Sequence, residues 1–393
     1  MSVTKPNKRK LLLVQKRMVP PGGDLAVVAW ILEALKEDYS VSLLTWKPPD
    51  FEQINRFYGS SLKTSDFENI RCVNPAVRAI INLDPDVGSF QKVAYLLRVC
   101  RRIKDNYDVI MTADNEIDFG RRGIQYFHYP YMHDKVTPLL DASWHRKIWE
   151  ALLGNYRPWM LFSGFSYLRM KENLTLVNSD WTGRKVKESY GIEPITVYPP
   201  VPGMFPDVPW EERENGFVCL GRFHPCKKFE RAIEIVRRVR ARGKNDIHIH
   251  LIGSKAYEPE GAGYYEKLKK IAEANSSWIS LDENLSREEL VALLSRHRYG
   301  IHALEKEHFG IAVAEILRAG CIVFVPNDGG QVEIVGGDER LVYESEEAAA
   351  QKIIRVMSNP EEQNSICAYL SPRREMFSTE SFMCDIQRIV GQF

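Results

Sequence analysis

Two glutamates eight positions apart, Glu307 and Glu315, frame the stretch of this 393-residue chain whose residue types could best do chemistry. Between them run His308, Phe309, Gly310 and Ile311, and Glu315 itself sits amid Ile311, Val313, Ala314, Ile316 and Leu317. If the stretch were wholly helical, the carboxylates would stand about 12 Å apart at 1.5 Å per residue. That is about the reach from the hexose to the ribose of a nucleotide sugar. Phe309-Gly310 marks the entry to a helix, where backbone N–H groups are free to meet an anion or a sugar hydroxyl. A carboxylate seldom sits among apolar residues without a partner, and a ribose diol would supply one by donating two hydrogen bonds. Two glutamates at this spacing, taken alone, are mostly solvated surface residues.

A second cluster supplies the opposite charge. Gly221-Arg222-Phe223-His224-Pro225-Cys226-Lys227-Lys228 follows a strand-like run and precedes a helical one. Arg222 and Lys227 therefore fall at a strand-to-helix turn, where both can converge on one point. A forked guanidinium and a mobile ammonium beside a helix N-terminus suit a leaving diphosphate, whose negative charge grows in the transition state. The alternative for either cation is plain surface charge.

The elements that must hold these residues alternate between short apolar runs and longer amphipathic ones, the pattern of parallel sheets covered by helices. Residues 11–15, 41–45, 109–112, 123–129 and 174–178 read as a first series of strands, with a helix over 25–35. After the proline-rich stretch 198–206, residues 216–220, 247–252, 278–281, 300–303 and 321–325 form a second series, with helices over 230–242 and 287–295. Proline removes a donor and fixes φ, so 198–206 lies in neither a helix nor a central strand and is read as the connection. The expected fold class is α/β, two tandem Rossmann-like doubly wound domains. Their boundaries are 1–198 on the acceptor side and 199–375 on the nucleotide-sugar donor side, with a helix over 376–393 returning to the first domain. Ligands of such folds gather outside the carboxyl ends of the strands, here in an expected interdomain cleft.

These residues carry a resemblance to glycosyltransferase family 4, retaining enzymes of the GT-B fold. Gly221-Arg222 with Lys227 is similar to the family's G-R-x-x-x-x-K turn, and Glu307 with Glu315 to its E-x7-E motif. Gly329-Gly330-Gln331-Val332-Glu333-Ile334-Val335 matches the G-G-x-x-E segment that follows, and Gly22-Gly23 its glycine loop before the first helix. Further motifs resemble dolichol-linked oligosaccharide α-1,2-mannosyltransferases: His128-Tyr129-Pro130, Val177 to Thr182, Val197-Tyr198-Pro199-Pro200, and Gly300-Ile301-His302. Two departures stand out. Lys228 replaces the glycine that often follows the family's lysine, and Gly23-Asp24-Leu25 breaks the run expected after the glycine loop.

The resemblance implies a retaining transfer of a hexose, mannose among the candidates, to a glycan or lipid-linked acceptor. GDP-mannose or a UDP-sugar is the implied co-substrate, with no other cofactor. It assigns Arg222 and Lys227 to the diphosphate. Glu307, with His308, Phe309, Gly310 and Ile311, goes to the donor sugar, and Glu315 to the ribose. His128 would approach the sugar from the first domain, and Gly22 and Gly23 would let backbone come close to a ligand. For His128 the other reading is a core histidine at a strand end. Asn178-Ser179-Asp180 reads as the cap of a helix over 181–189. Two other functions stay open: a donor-binding scaffold without activity, and a sugar phosphorylase on the same architecture.

Composition narrows the field. Lys and Arg number 53 against 52 Asp and Glu, a formal charge of +1 that exerts no global pull on nucleic acid. The seven cysteines are scattered without a CxxC pair, which argues against both a disulfide framework and a zinc site and favours a reducing compartment, the cytoplasm. Asp84-Pro85-Asp86 matches a D-x-D metal motif but reads as a turn, so no metal is expected. No apolar run reaches the roughly 18–20 residues of a spanning helix. The aromatic and basic stretch 144–171, with Leu96, Arg98, Arg101 and Lys104, either meets the cytoplasmic membrane surface peripherally or packs between domains.

Overall fold

The computed structural model describes residues 8–20, 22–81, 89–132, 161–254 and 259–393. The D-x-D triplet at 84–86 and most of the stretch 144–171 lie outside them. The chain divides into two compact units, Met1–Pro200 with Phe382–Phe393, and Val201–Ser381.

The first unit holds a seven-stranded sheet. Its strands are β1 (Lys10–Gln15), β2 (Ser40–Thr45), β3 (Phe67–Cys72), β4 (Val109–Thr112), β5 (Ile124–Phe127), β6 (Leu174–Val177) and β7 (Ile195–Thr196), in the order β3-β2-β1-β4-β5-β6-β7. Every pairing is parallel. Helices cover both faces, which is why the strands are apolar throughout rather than alternating. β1 shows this directly: Leu11 and Leu13 join the cluster under the helix Gly23–Leu35, while Leu12 and Val14 join Leu96, Leu97 and Cys100 on the other face.

The second unit repeats the plan with β8 (Glu214–Leu220), β9 (Ile249–Gly253), β10 (Ile279–Glu283), β11 (His297–Ile301), β12 (Ile322–Pro326) and β13 (Val342–Tyr343). Their order is β10-β9-β8-β11-β12-β13, again all parallel. Strand order reverses direction between β8 and β11, and ligands of open α/β sheets bind beyond the carboxyl ends at such a switch point.

The strands expected from the apolar runs are present, with three differences. β3, β7 and β13 had no apolar run to announce them: β3 is an edge strand with mostly exposed side chains, and the other two are two residues long. The strand expected over 300–303 is β11, which begins three residues earlier at the buried His297. The second half of the proline stretch is no free connector, because Val201 N–H donates to the Phe377 carbonyl (2.9 Å) and the Pro202 carbonyl accepts from Arg287.

Candidate active site

The carboxyl end of β8 leads into the turn bearing Arg222 and Lys227, and the carboxyl end of β11 leads through His302 to Glu307. Because β8 and β11 are adjacent, both loops emerge side by side at the switch point. Lys227 Nζ and Glu307 Oε2 form an ion pair there, each side chain less than one-fifth exposed. His302 Nε2 stands 3.5 Å from the same carboxylate oxygen. Burial pushes the Glu307 carboxyl up, but the Lys227 charge and the His302 contact outweigh it and hold the group well below the usual carboxylate range. Burial pushes His302 down.

The loop's shape depends on glycine. Gly329 (φ 105°) pairs with Glu307 in an isolated parallel bridge, and a Cβ there would lie 2.5 Å from the Glu307 carbonyl oxygen. Gly330 N–H then donates to that carbonyl at 2.8 Å. The buried Gln331 amide donates to the Leu304 and Asp328 carbonyls, at 2.9 and 2.8 Å, and so pins both ends of the loop. The G-G-x-x-E segment therefore acts on Glu307 through the backbone.

Gly310 (φ 102°) caps the helix Ile311–Arg318, which has no side-chain cap; Val313 N–H donates to the Gly310 carbonyl at 2.9 Å, which leaves the N–H groups of Ile311 and Ala312 for a ligand. The helix begins after Glu307, and the eight-residue spacing is not one continuous helix. Phe309 is buried against Phe377, with ring centroids 5.8 Å apart, so its side chain anchors the loop. His308 and Ile311 are partly buried beside it.

Glu315 has a protein partner. It pairs with Arg287, the first residue of the helix Arg287–Ser295, and Arg287 also donates to the Pro202 carbonyl. The sequence pointed to a ribose diol as the partner of Glu315; a ribose would have to share Glu315 with this guanidinium. Arg222 is exposed and makes no side-chain hydrogen bond or ion pair among the described residues. Of the four expected side chains, Lys227 and Glu307 are joined directly. Sequence reasoning missed Arg287, His302 and Gln331 as site residues. His302 stood in a quoted motif, while Arg287 carried no local signal.

Lys228 explains one departure from the resembled pattern. It lies in the left-handed region (φ 52°, ψ 44°), the conformation that glycine adopts without cost, and it caps the helix Phe229–Ala241. An open hollow of about 400 Å³ beside this turn is lined by Pro225, Lys228, Glu230, Arg231, Glu305 and Glu346, and includes none of the four expected side chains.

In the first unit, Gly22 precedes the helix Gly23–Leu35 and its carbonyl accepts from Tyr58 Oη at 2.8 Å. Its φ of 164° is ordinary extended backbone, and an added Cβ would meet only the flexible Asp24 carboxylate. His128 follows β5, with its N–H donating to Asn115 Oδ1 (2.6 Å) and its carbonyl accepting from Asn178 Nδ2 (3.1 Å). Ser179 is the N-cap of the helix Asp180–Tyr190, accepting from Thr182 N–H at 3.0 Å. Of the cations read as facing either a membrane or a packed interior, Arg101 pairs with the buried Asp118 (2.6 Å), Arg98 donates to the Phe162 carbonyl (2.9 Å), and Lys104 to that of Gly120 (2.8 Å). Among the described residues no helix is long and apolar enough to cross a membrane.

Comparison with known proteins places this geometry. Residues 203–369 match the family model described as glycosyl transferases group 1. The GDP-Man:Man(3)GlcNAc(2)-PP-Dol alpha-1,2-mannosyltransferase of Candida glabrata is 27% identical over 219 residues, covering 52% of this chain and 43% of that protein. The human protein of the same name is 27% identical over 204 residues, covering 47% and 41%. The chain thus matches less than half the length of these curated relatives. Among solved structures, a glycosyltransferase from Rickettsia africae superposes with a TM-score of 0.66 at 16% identity, covering 98% of both chains. Anabaena HepE in complex with UDP and glucose gives 0.67 at 13%, covering 98% of this chain and all of that one. Two parallel doubly wound sheets and neighbours spanning almost the whole chain show that the fold is GT-B, and residues 203–369 match the glycosyl transferases group 1.

Proposed function

We propose that the chain is a retaining hexosyltransferase that moves mannose from GDP-mannose to a lipid-linked glycan. The observation that carries this reading is the ion pair of Lys227 and Glu307 at the switch point between β8 and β11. The names of the curated relatives favour mannose and a dolichol-linked acceptor, and a UDP-sugar is the alternative donor.

In this reading Lys227 turns from Glu307 to the diphosphate when the donor binds, and Arg222 adds a forked donor to the same oxygens. Glu307, released from its lysine and kept ionised, accepts hydrogen bonds from the sugar hydroxyls. The uncapped N-terminus of Ile311–Arg318 adds N–H groups. Glu315 and Arg287 hold the ribose end. The departing diphosphate accepts the proton of the attacking hydroxyl on the same face of the sugar, and the two cations offset its charge without a metal at the phosphates. His128, Gly22 and Gly23 belong to the same proposal as groups near the donor sugar. Peripheral contact with a membrane through 144–171 is favoured by Leu161 and Leu168, 82% and 77% exposed. Binding to anionic vesicles, weakened by replacing both leucines with serine, tests that part.

The donor is tested by thermal shift against GDP-mannose, UDP-glucose and ADP-glucose. A donor at 100 times its Kd adds about 2.7 kcal/mol of stability, and GDP-mannose is expected to give the largest shift. Transfer should fall by about 10²–10³ in kcat on Lys227→Ala and comparably on Glu307→Gln. Unchanged turnover in both variants sinks the proposed roles.

A further inference from the structure

At the amino ends of the second unit's strands, the edge of the sheet opposite Lys227 and Glu307, three histidines and a carboxylate share one face. Glu214 opens β8, His297 opens β11, His250 lies in β9 and His248 just precedes it. Glu214 is in register with His297, and Val218 with His250. Side chains alternate along a strand, so Glu214, Gly216 and Val218 face one way, and His248 and His250 face one way.

β8 runs between the two histidine-bearing strands, and where the His248 ring crosses it the residue is glycine. A Cβ on Gly216 would stand 2.4 Å from His248 Nε2. The missing side chain lets that ring lie across β8 to reach His297, with the two Nε2 atoms 3.0 Å apart. One ring nitrogen of each histidine falls within 4.8 Å of those of the other two. Glu214 Oε2 is 3.4 Å from His248 Nε2 and 3.7 Å from His297 Nε2.

Two of the rings are also held from behind. His250 Nδ1 lies 2.7 Å from Asp282 Oδ2, and His297 Nδ1 lies 2.7 Å from the Leu293 carbonyl. A carboxylate or carbonyl on one ring nitrogen fixes the tautomer and leaves the lone pair on the other, the arrangement behind metal-binding histidines. Four ligands around Zn²⁺ at about 2.0–2.1 Å stand about 3.3 Å from one another in a tetrahedron. The separations of 3.0, 3.4 and 3.7 Å already lie near that edge.

We infer that His248, His250, His297 and Glu214 form a binding site for one divalent transition-metal ion of the Zn²⁺ class. Imidazole and carboxylate ligands suit this ion, and a full set of four protein ligands makes the site structural. It clips the amino ends of β8, β9 and β11 together. Seven residues of strand, about 20 Å, separate Glu214 from the turn that bears Lys227, so the ion takes no part at the donor phosphates. His297 is fully buried while the His248 side chain is 29% exposed, which gives the ion a way in. Scattered cysteines had argued against zinc, and of the ligands at 214, 248, 250 and 297 only His248 and His250 are close in sequence, too little to announce the site.

The test uses the full chain, stripped with chelator and titrated with Zn²⁺ by calorimetry and thermal shift, without any nucleotide sugar. The expected result is saturable binding of one ion per chain with a rise in Tm. His248→Gln and His250→Gln should each abolish stoichiometric binding, and Asp282→Asn should weaken it 10- to 100-fold. The metal-free Tm of His248→Gln, whose ring is partly exposed, should match the wild type, which separates a lost ligand from a lost fold. No saturable binding, or undiminished binding in both histidine variants, overturns the inference and leaves the proposed transfer reaction untouched.

Discussion

Lys228 and Lys306 both adopt left-handed backbone, φ 52° and 56°, and each is the neighbour of a member of the Lys227–Glu307 pair. Strained residues persist where the surrounding structure holds them, and they cluster at functional sites. Lys228→Gly relieves one of them and loses only an exposed ion pair with Glu305, which contributes little. It should raise stability by about 0.5–1 kcal/mol in urea denaturation, and a loss of stability would refute the strain. A second residue gives a pH signature. Glu116 is buried, and burial raises its carboxyl to about 7 despite hydrogen bonds from Met132 N–H and Tyr190 Oη, both 2.9 Å. A carboxyl raised above its ordinary value of 4.5 contributes stability that is complete below about pH 4.5 and lost as pH rises through about 7. Glu116→Gln should therefore match the wild type near pH 5 and exceed it at pH 8, by about 3 kcal/mol at most. Equal stabilities at pH 8 would show that Glu116 titrates normally.

The loop after β11 and the glycine pair after β12 work as one element. Gly329 approaches Glu307 so closely that any side chain would collide with backbone, and its φ of 105° is itself unfavourable for other residues. Gly329→Ala should cost at least about 2 kcal/mol by chemical denaturation, and should lower transfer by up to about 10²-fold because a displacement of about 1 Å misaligns the carboxylate. An alanine variant with wild-type stability would contradict the geometry. Both glycines could be read from the sequence as motif members. Their reason could not, because it lies in a bridge to a residue more than twenty positions away. The same holds for Glu315: an apolar setting was legible, but Arg287, its partner 28 positions earlier, was not.

At the scale of the whole molecule, the last helix, Thr379–Gln392, completes the first unit. Phe382, Ile386, Ile389 and Val390 recur at helical spacing and share a core with Leu11, Leu13, Val28 and Leu32. Gln387 Nε2 donates to the Ala34 carbonyl at 2.9 Å. Ile386→Ala should lower stability by about 2–5 kcal/mol and speed proteolysis of the first unit before the second. Equal cleavage of both units would show that the helix is not part of that core. What the sequence determined by itself was the alternation of strands and helices, the two tandem units and the residue types at the candidate site. Those signals are local: apolar runs, proline and glycine punctuation, and charged residues at turns. Only the tertiary structure decided which distant residues meet, such as Lys227 with Glu307 across 80 positions, Glu315 with Arg287, and the histidines around Gly216. Such meetings follow from strand order and register, which are fixed by packing across the whole sheet rather than by any window of sequence.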